Sequence, residues 1–264
     1  MDRHAARILK YETHNLLRTK WLPALAGMLF VATEVLFRFG GDPAKVITSL
    51  MNVALVVVPL VCLVLGTIYF YNAREFNELL LAQPMNRASI YLGKLTGFTA
   101  ALSAAFVVGL GLPFLIHSYQ LELYAAKIAM LMAVGVVLIV IFSAIAFWVA
   151  TRYEEKIKGL GYVILLWFFL AVVYDGIILL FIHLFRDYPF ETPLMMLVLA
   201  NPIDLGRILI LLQLDISALL GYTGAVFRKL YGSGAGTGLS AAALVLYATI
   251  PIFLGLRAFR RKDF

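Results

Sequence analysis

Only one of the 264 residues is cysteine, four are histidine, and charged side chains make up 14% of the chain. A lone cysteine excludes a disulfide framework within the chain and a thiolate metal cluster. Cys62 lies inside an apolar run, where a thiol serves packing. His4, His14, His117 and His183 show no close ligand spacing, and Met195-Met196 is a lone pair, so no metal site is expected of this chain by itself. Nucleotide-binding chemistry is missing as well. Gly93-Lys94 is followed by Leu95 rather than Ser or Thr, and position 88 is Ala88, so this is no phosphate loop. Glu154-Glu155 has no supporting histidine constellation and reads as part of a solvated loop rather than a hydrolytic pair.

Apolar residues fill the space these absences leave. They form 62% of the chain, at a mean hydropathy of +0.93, more than any soluble single domain needs. The reading is an all-α polytopic membrane protein. A helical span takes about 20 apolar residues, and this length accommodates roughly six with short loops. The net charge of +7 does not point to nucleic acid, because the basic residues lie mostly in clusters flanking apolar runs, as orientation in a bilayer requires. No cleavable signal peptide is expected, since the first apolar run begins near Trp21 and outlasts a signal core.

In order, residues 2–20 predict an amphipathic helix on the membrane surface. Spans are expected at about 21–39, 46–70, 95–117, 128–150, 161–185 and 239–256, with the whole chain as one transmembrane domain. Gly40-Gly41-Asp42-Pro43 marks the first turn, and Pro59 predicts a kink in the second span. Segment 186–238 is apolar but interrupted by Asn201-Pro202, Asp204, Arg207, Gln213 and Asp215, groups too costly for a lipid-facing span. It therefore predicts non-spanning helices outside the membrane, one of them capped by Asn201 with Pro202 at its first position. Gly232 to Gly238 reads as a flexible hinge.

Charge placement orients the spans. Residues 2–20 hold five Lys/Arg, the segment between spans two and three holds Arg74, Arg87 and Lys94, the next loop on that side holds Arg152, Lys156 and Lys158, and the tail holds Arg257, Arg260, Arg261 and Lys262. Only seven fall on the other side or at outer span ends. This excess predicts that both termini lie in the cytoplasm.

Between the second and third spans lies a polar island, a coupling segment over 72–94. Phe76, Leu79 and Leu80 recur at i, i+3 and i+4 with Arg74, Glu75, Asn77 and Glu78 between them, a short amphipathic helix closed at Gln83 by Pro84. Gly93 and Gly97 permit close helix approach at the start of span three. Within the spans, Glu34 and Arg38 are four apart and pair on one helical face, Asp175 lies in span five, and His183 lies near its outer end. All four fall in the outer halves of their spans, where such groups line an outer gate or path or serve as structural pairs.

A basic surface helix, six spans, an amphipathic insert after the second and no ATP site together resemble the permease subunits of ABC transporters of the ABC-2 exporter type. The resemblance implies that the insert, Arg74 to Arg87, is the coupling helix that docks on a separate ATPase, with Arg74, Glu75, Phe76, Glu78, Leu79, Leu80, Pro84 and Arg87 as contact residues. ATP and Mg would be held by that partner and no cofactor by this chain. A narrower likeness, through Leu36 to Asn52, the insert, and Asn201 to Phe227, is to the permease of the ABC complex that matures the copper centre of nitrous oxide reductase. That likeness implies two permease copies, two ATPase copies, membrane lipid around them, a periplasmic beta-helical accessory protein and no nucleic acid. Its role would be support of copper-sulfur cluster assembly. The alternatives are an exporter of a lipid, peptide or drug, and a non-transporting membrane anchor. A membrane-integral enzyme is disfavoured because no span carries a convincing nucleophile and base.

Overall fold

Lipid offers no partner to a backbone amide, so apolar runs of this length have the α-helix as their available spanning conformation. The computed structural model describes residues 19–40, 43–74, 86–117, 121–185, 191–213 and 234–261. Its elements are α1 (Trp21–Gly40), α2 (Pro43–Asn72), α3 (Arg87–Ile116), α4 (Leu121–Arg152), α5 (Lys156–Phe168), a π-helical turn (Phe169–Val173), α6 (Tyr174–Leu184), α7 (Glu191–Leu199), α8 (Pro202–Gln213) and α9 (Gly234–Arg261). Among the described residues there is no strand. Among the described residues six helical stretches are long and apolar enough to cross a membrane: α1, α2, α3, α4, the α5–π–α6 unit and α9. The chain is a multi-pass membrane protein.

Several helix limits differ from those read in the sequence. The third span starts at Arg87 rather than near Leu95, because Asn86 caps it by accepting from Ala88 N at 2.9 Å. Gly93, Lys94 and Gly97 are thereby inside α3 and buried. The fourth span starts at Leu121, so the polar turn before it shrinks. The stretch read as a hinge is helical from Gly234. Glycine weakens a helix by about 1 kcal/mol per residue, but an apolar surrounding penalises an open backbone more. The fifth span is one helix in two parts, widened by the π-turn.

The helix α4 is the central post. It packs against α2, α3, α5, α8 and α9, whereas α1 leans chiefly on α3. Its second half is apolar all round, and Leu138, Ile141, Phe142, Ala144, Ala146 and Phe147 are fully enclosed. Phe147 is the centre of an aromatic cluster that joins four helices. Its ring lies 5.2 Å from Phe70 of α2, 5.7 Å from Phe98 and 6.1 Å from Tyr91 of α3, and Tyr91 lies 5.6 Å from Phe259 of α9. In lipid the gain from such a cluster is van der Waals packing rather than escape from water. At Gly109 of α3 a side chain would meet Ala26 O of α1 at 2.7 Å, so a residue with no Cβ sets the approach of those two helices. The outer faces of α5, α6 and α9 expose Leu165, Leu179, Ile250 and Phe253, as expected for helices bathed in acyl chains.

Phe147→Ala removes the α4 ring at the centre of this cluster and is expected to cost about 3 kcal/mol. Leu165→Ala, on a face 68% exposed, is expected to leave stability within about 0.5 kcal/mol. Thermal melts of the two variants in detergent compare them directly.

Candidate functional site

At one end of the bundle, three side chains tie down the two strands of chain that lead into and out of the insert. Tyr71, in the last turn of α2, donates its hydroxyl to Tyr153 O at 2.8 Å and also reaches Glu155 O at 3.3 Å, both in the loop between α4 and α5. Lys156 Nζ donates to Asn72 Oδ1 at 3.1 Å. Tyr71 fits there because Gly159 has no Cβ; a Cβ at that position would collide with the Tyr71 hydroxyl. On the exit side, Arg87 Nη1 donates to Arg260 O at 3.0 Å, near the end of α9. The insert's entry is thus fastened to α4 and α5 and its exit to α9.

Arg74 and Arg87 of the expected contact set stand at the two edges of this arrangement. Glu75, Phe76, Glu78, Leu79, Leu80 and Pro84 lie outside the described residues, as does the expected surface helix up to Arg18. The roles of Tyr71 and Gly159 were not read in the sequence. Tyrosine at a helix end beside a polar loop is the signal, but the loop's identity is a tertiary fact.

Asp175 lies nineteen residues past Lys156 along the same span, about 28 Å of helical rise away. It belongs to a compact ion cluster. Arg207 Nη1, from α8, lies 3.1 and 3.0 Å from the two Asp175 oxygens and 3.0 Å from Asp204 Oδ1. Asn201, fully buried, holds the cluster in place. Its Oδ1 accepts from Ile203 N at 3.0 Å as the cap of α8, and its Nδ2 donates to Asp204 Oδ2 and to Leu170 O, each at 2.8 Å. Leu170 belongs to the π-turn, whose widened backbone offers that carbonyl sideways. Tyr174 and Tyr247 donate to Leu197 O at 2.6 Å and Leu199 O at 2.9 Å, closing the end of α7.

One guanidinium faces two carboxylates, so the cluster is neutral only when it also holds a proton. Burial, with the hydrogen bond and charge of Asp175, pushes Asp204 up to about 7, while Arg207 and Asn201 pull the other way. Beside the cluster is a cavity of about 330 Å³, walled by Ile178, Leu179, Ile182, Leu194, Val198 and Leu211, with Asp175, Asp204 and Arg207 as its polar end. The shape and chemistry suit a small amphiphile or a proton.

The four residues read as an outer gate separate into three places. Glu34 lies 3.8 Å from Arg38 Nε on α1 and 3.7 Å from His117 Nδ1 at the end of α3, while His117 stacks on Phe37 with centroids 4.6 Å apart. Asp175 is in the ion cluster on the other helices. His183 is exposed on α6 and outside the residues lining the cavity. Pairing of Glu34 with Arg38 follows from their spacing; the meeting of Asp175 with Arg207 requires α8 to fold back on α6, which spacing does not announce. Among the described residues no group of three or more His, Cys, Asp and Glu stands ready for a metal ion.

Removing Arg207 leaves two carboxylates facing each other. Arg207→Ala is expected to destabilise by about 2 kcal/mol, below the usual loss for a fully buried pair because the arginine is 26% exposed. Asp204 has a raised folded pKa, so it favours the fold while protonated, and that contribution fades as pH climbs from about 4 to about 7. Asp204→Asn cannot ionise. Its melting temperature is expected to rise relative to wild type between about pH 4 and about pH 7, as the wild-type carboxyl ionises at a cost.

Residues 53–264 match the ABC-2 family transporter protein family, most of the chain. A probable ABC transporter permease protein NosY from Pseudomonas aeruginosa is 26% identical over 97% of this chain and 97% of its own length. A probable ABC transporter permease protein NosY from Stutzerimonas stutzeri is 27% identical over 76% of this chain and 79% of its own. With six membrane helices and a match of this extent, the chain belongs to the ABC-2 family of transporter proteins and is the permease subunit of an ABC transporter.

Proposed function

We propose that this permease takes mechanical work from a separate ATPase that docks on the insert between α2 and α3, on the cytoplasmic side, where both termini also lie. The observation that carries the reading is the fastening of both ends of the insert. Tyr71 and Asn72 are bonded to the loop beyond α4, and Arg87 to the end of α9. A push on the insert therefore acts on α4, α5 and α9 together, and rigid helices pass the displacement across the membrane. ABC permeases in general work as pairs with an ATPase, and the complex here is two permease copies with two ATPase copies in the bacterial inner membrane. ATP and Mg belong to the ATPase; the permease is non-catalytic.

The cellular role we infer is maturation of the copper-sulfur centre of nitrous oxide reductase, with a periplasmic beta-helical protein as accessory partner. It rests on the similarity to the NosY permeases over nearly the full chain and on the sequence likeness described above. Export of a lipid, peptide or drug is the second reading, favoured by the apolar cavity with its ionic end beside α6 and α8. Deleting the gene discriminates the two: loss of the copper-sulfur signal of nitrous oxide reductase supports maturation, and an intact centre refutes it.

Phe76→Asp and Leu80→Asp each place a charge on the apolar face of the insert. Each is expected to weaken copurification of the ATPase by about tenfold or more, the cost of losing a central apolar anchor. Undiminished binding by both variants removes the docking proposal. Tyr71→Phe, which keeps the ring and loses the donor to the α4–α5 loop, is expected to leave ATPase binding intact while lowering transport-coupled ATP turnover.

A further inference from the structure

A second cavity, about 420 Å³, opens at the bundle end where α4 and α9 finish, remote from the ion cluster. Arg152 and Glu154 form one wall, and Leu254, Arg257, Ala258 and Arg261 of α9 form the other. Three guanidiniums face a single carboxylate. Among the described residues none of the three arginine side chains is in an ion pair with a carboxylate. Unneutralised guanidinium forks converging on one space match the geometry of a phosphate.

The same face of α9 continues into apolar surface. Leu246, Ile250, Leu254, Arg257 and Arg261 recur at steps of three and four, so they form one stripe. Leu246 is 57% exposed and Ile250 is 53% exposed, so the stripe is open toward lipid. From Leu246 to Arg257 the helix rises about 16 Å, close to the ~15 Å hydrocarbon depth of one leaflet. Behind the stripe, the backbone of Trp148 on α4, one turn before Arg152, comes close to Gly255 of α9.

We propose that this cavity binds the phosphate headgroup of an anionic phospholipid, with its acyl chains laid along the Leu246–Leu254 face of α9. A soluble phosphate has no use for an apolar stripe of one leaflet's length. A zwitterionic headgroup brings its own cation against the arginines, whereas an anionic one does not.

The test uses the full-length chain in nanodiscs of phosphatidylcholine with and without phosphatidylglycerol, and native mass spectrometry to count phosphatidylglycerol retained. Arginine beside anionic lipid contributes about fivefold each, so Arg257→Ala combined with Arg261→Ala is expected to weaken retention about twenty-five-fold. Arg260→Ala removes an equal charge from the same helix end outside the cavity and is expected to change nothing. Arg257→Lys with Arg261→Lys is expected to restore most of the binding. If the double alanine variant does not fold, Arg152→Ala on the opposite wall carries the test at about fivefold. Equal loss in Arg260→Ala overturns the proposal in favour of diffuse attraction. Displacement of the lipid by soluble glycerol phosphate overturns it in favour of a soluble anion. Loss of the copurifying ATPase with lipid retained makes the surface a protein contact and also overturns it.

Discussion

A backbone carbonyl without a donor in a low-dielectric interior costs several kcal/mol, and this protein repeatedly meets that constraint with a side chain from another helix. Asn201 donates to Leu170 O where the fifth span widens into a π-turn. Tyr174 and Tyr247 complete the end of α7, Tyr71 completes the loop after α4, Arg87 reaches the last turns of α9, and Trp167 donates to Val56 O one turn before Pro59. Every one of these bonds crosses between elements. The irregular places in the chain are therefore also where its helices are fastened together, and local geometry and tertiary packing are one problem.

That arrangement divides mechanical labour between the two ends of the bundle. Around α4 the packing is dense and aromatic, with Phe147 fully buried among rings from α2 and α3, which in turn meet Phe259 of α9. At one end the insert's two flanks are bonded to that body through Tyr71, Asn72 and Arg87. Near the other, α7 and α8 are held to the fifth span by a cluster with one cation, two carboxylates and an amide. Burial opposes the charge of Asp204 and pushes it up to about 7, so the attachment of α7 and α8 has two charge states.

Much of this was legible in the residues. Apolar run length marked the six spans, Gly40 to Pro43 marked the first turn, and Glu34 and Arg38 at a spacing of four proved to be neighbours. Asn201-Pro202 announced the start of α8, because a side-chain acceptor followed by a residue lacking an N–H is chemically a helix start. Arg207, Asp204 and Asp175 were each recognisable as too polar for lipid, but not as partners of one another. Lys94 looked like part of an aqueous segment, since a lysine after a glycine reads as solvated. Its spacing from Tyr91 and Phe98 along one face of α3 was the signal that it is buried with them. The glycines from 234 onward looked like a hinge because propensity weighs against helix there, yet α9 is helical from Gly234.

Hydrophobic length, helix-capping chemistry and the distribution of lysine and arginine are local or one-dimensional quantities. They settled by themselves the membrane class, the six apolar spans and the starts of α1 and α8. Which side chain completes which orphan carbonyl, and which carboxylate faces Arg207, depends on helices far apart in the chain coming within about 3 Å of each other, a distance set by packing around α4. Only the tertiary structure decides that, because a hydrogen bond between remote segments leaves no periodicity in either of them.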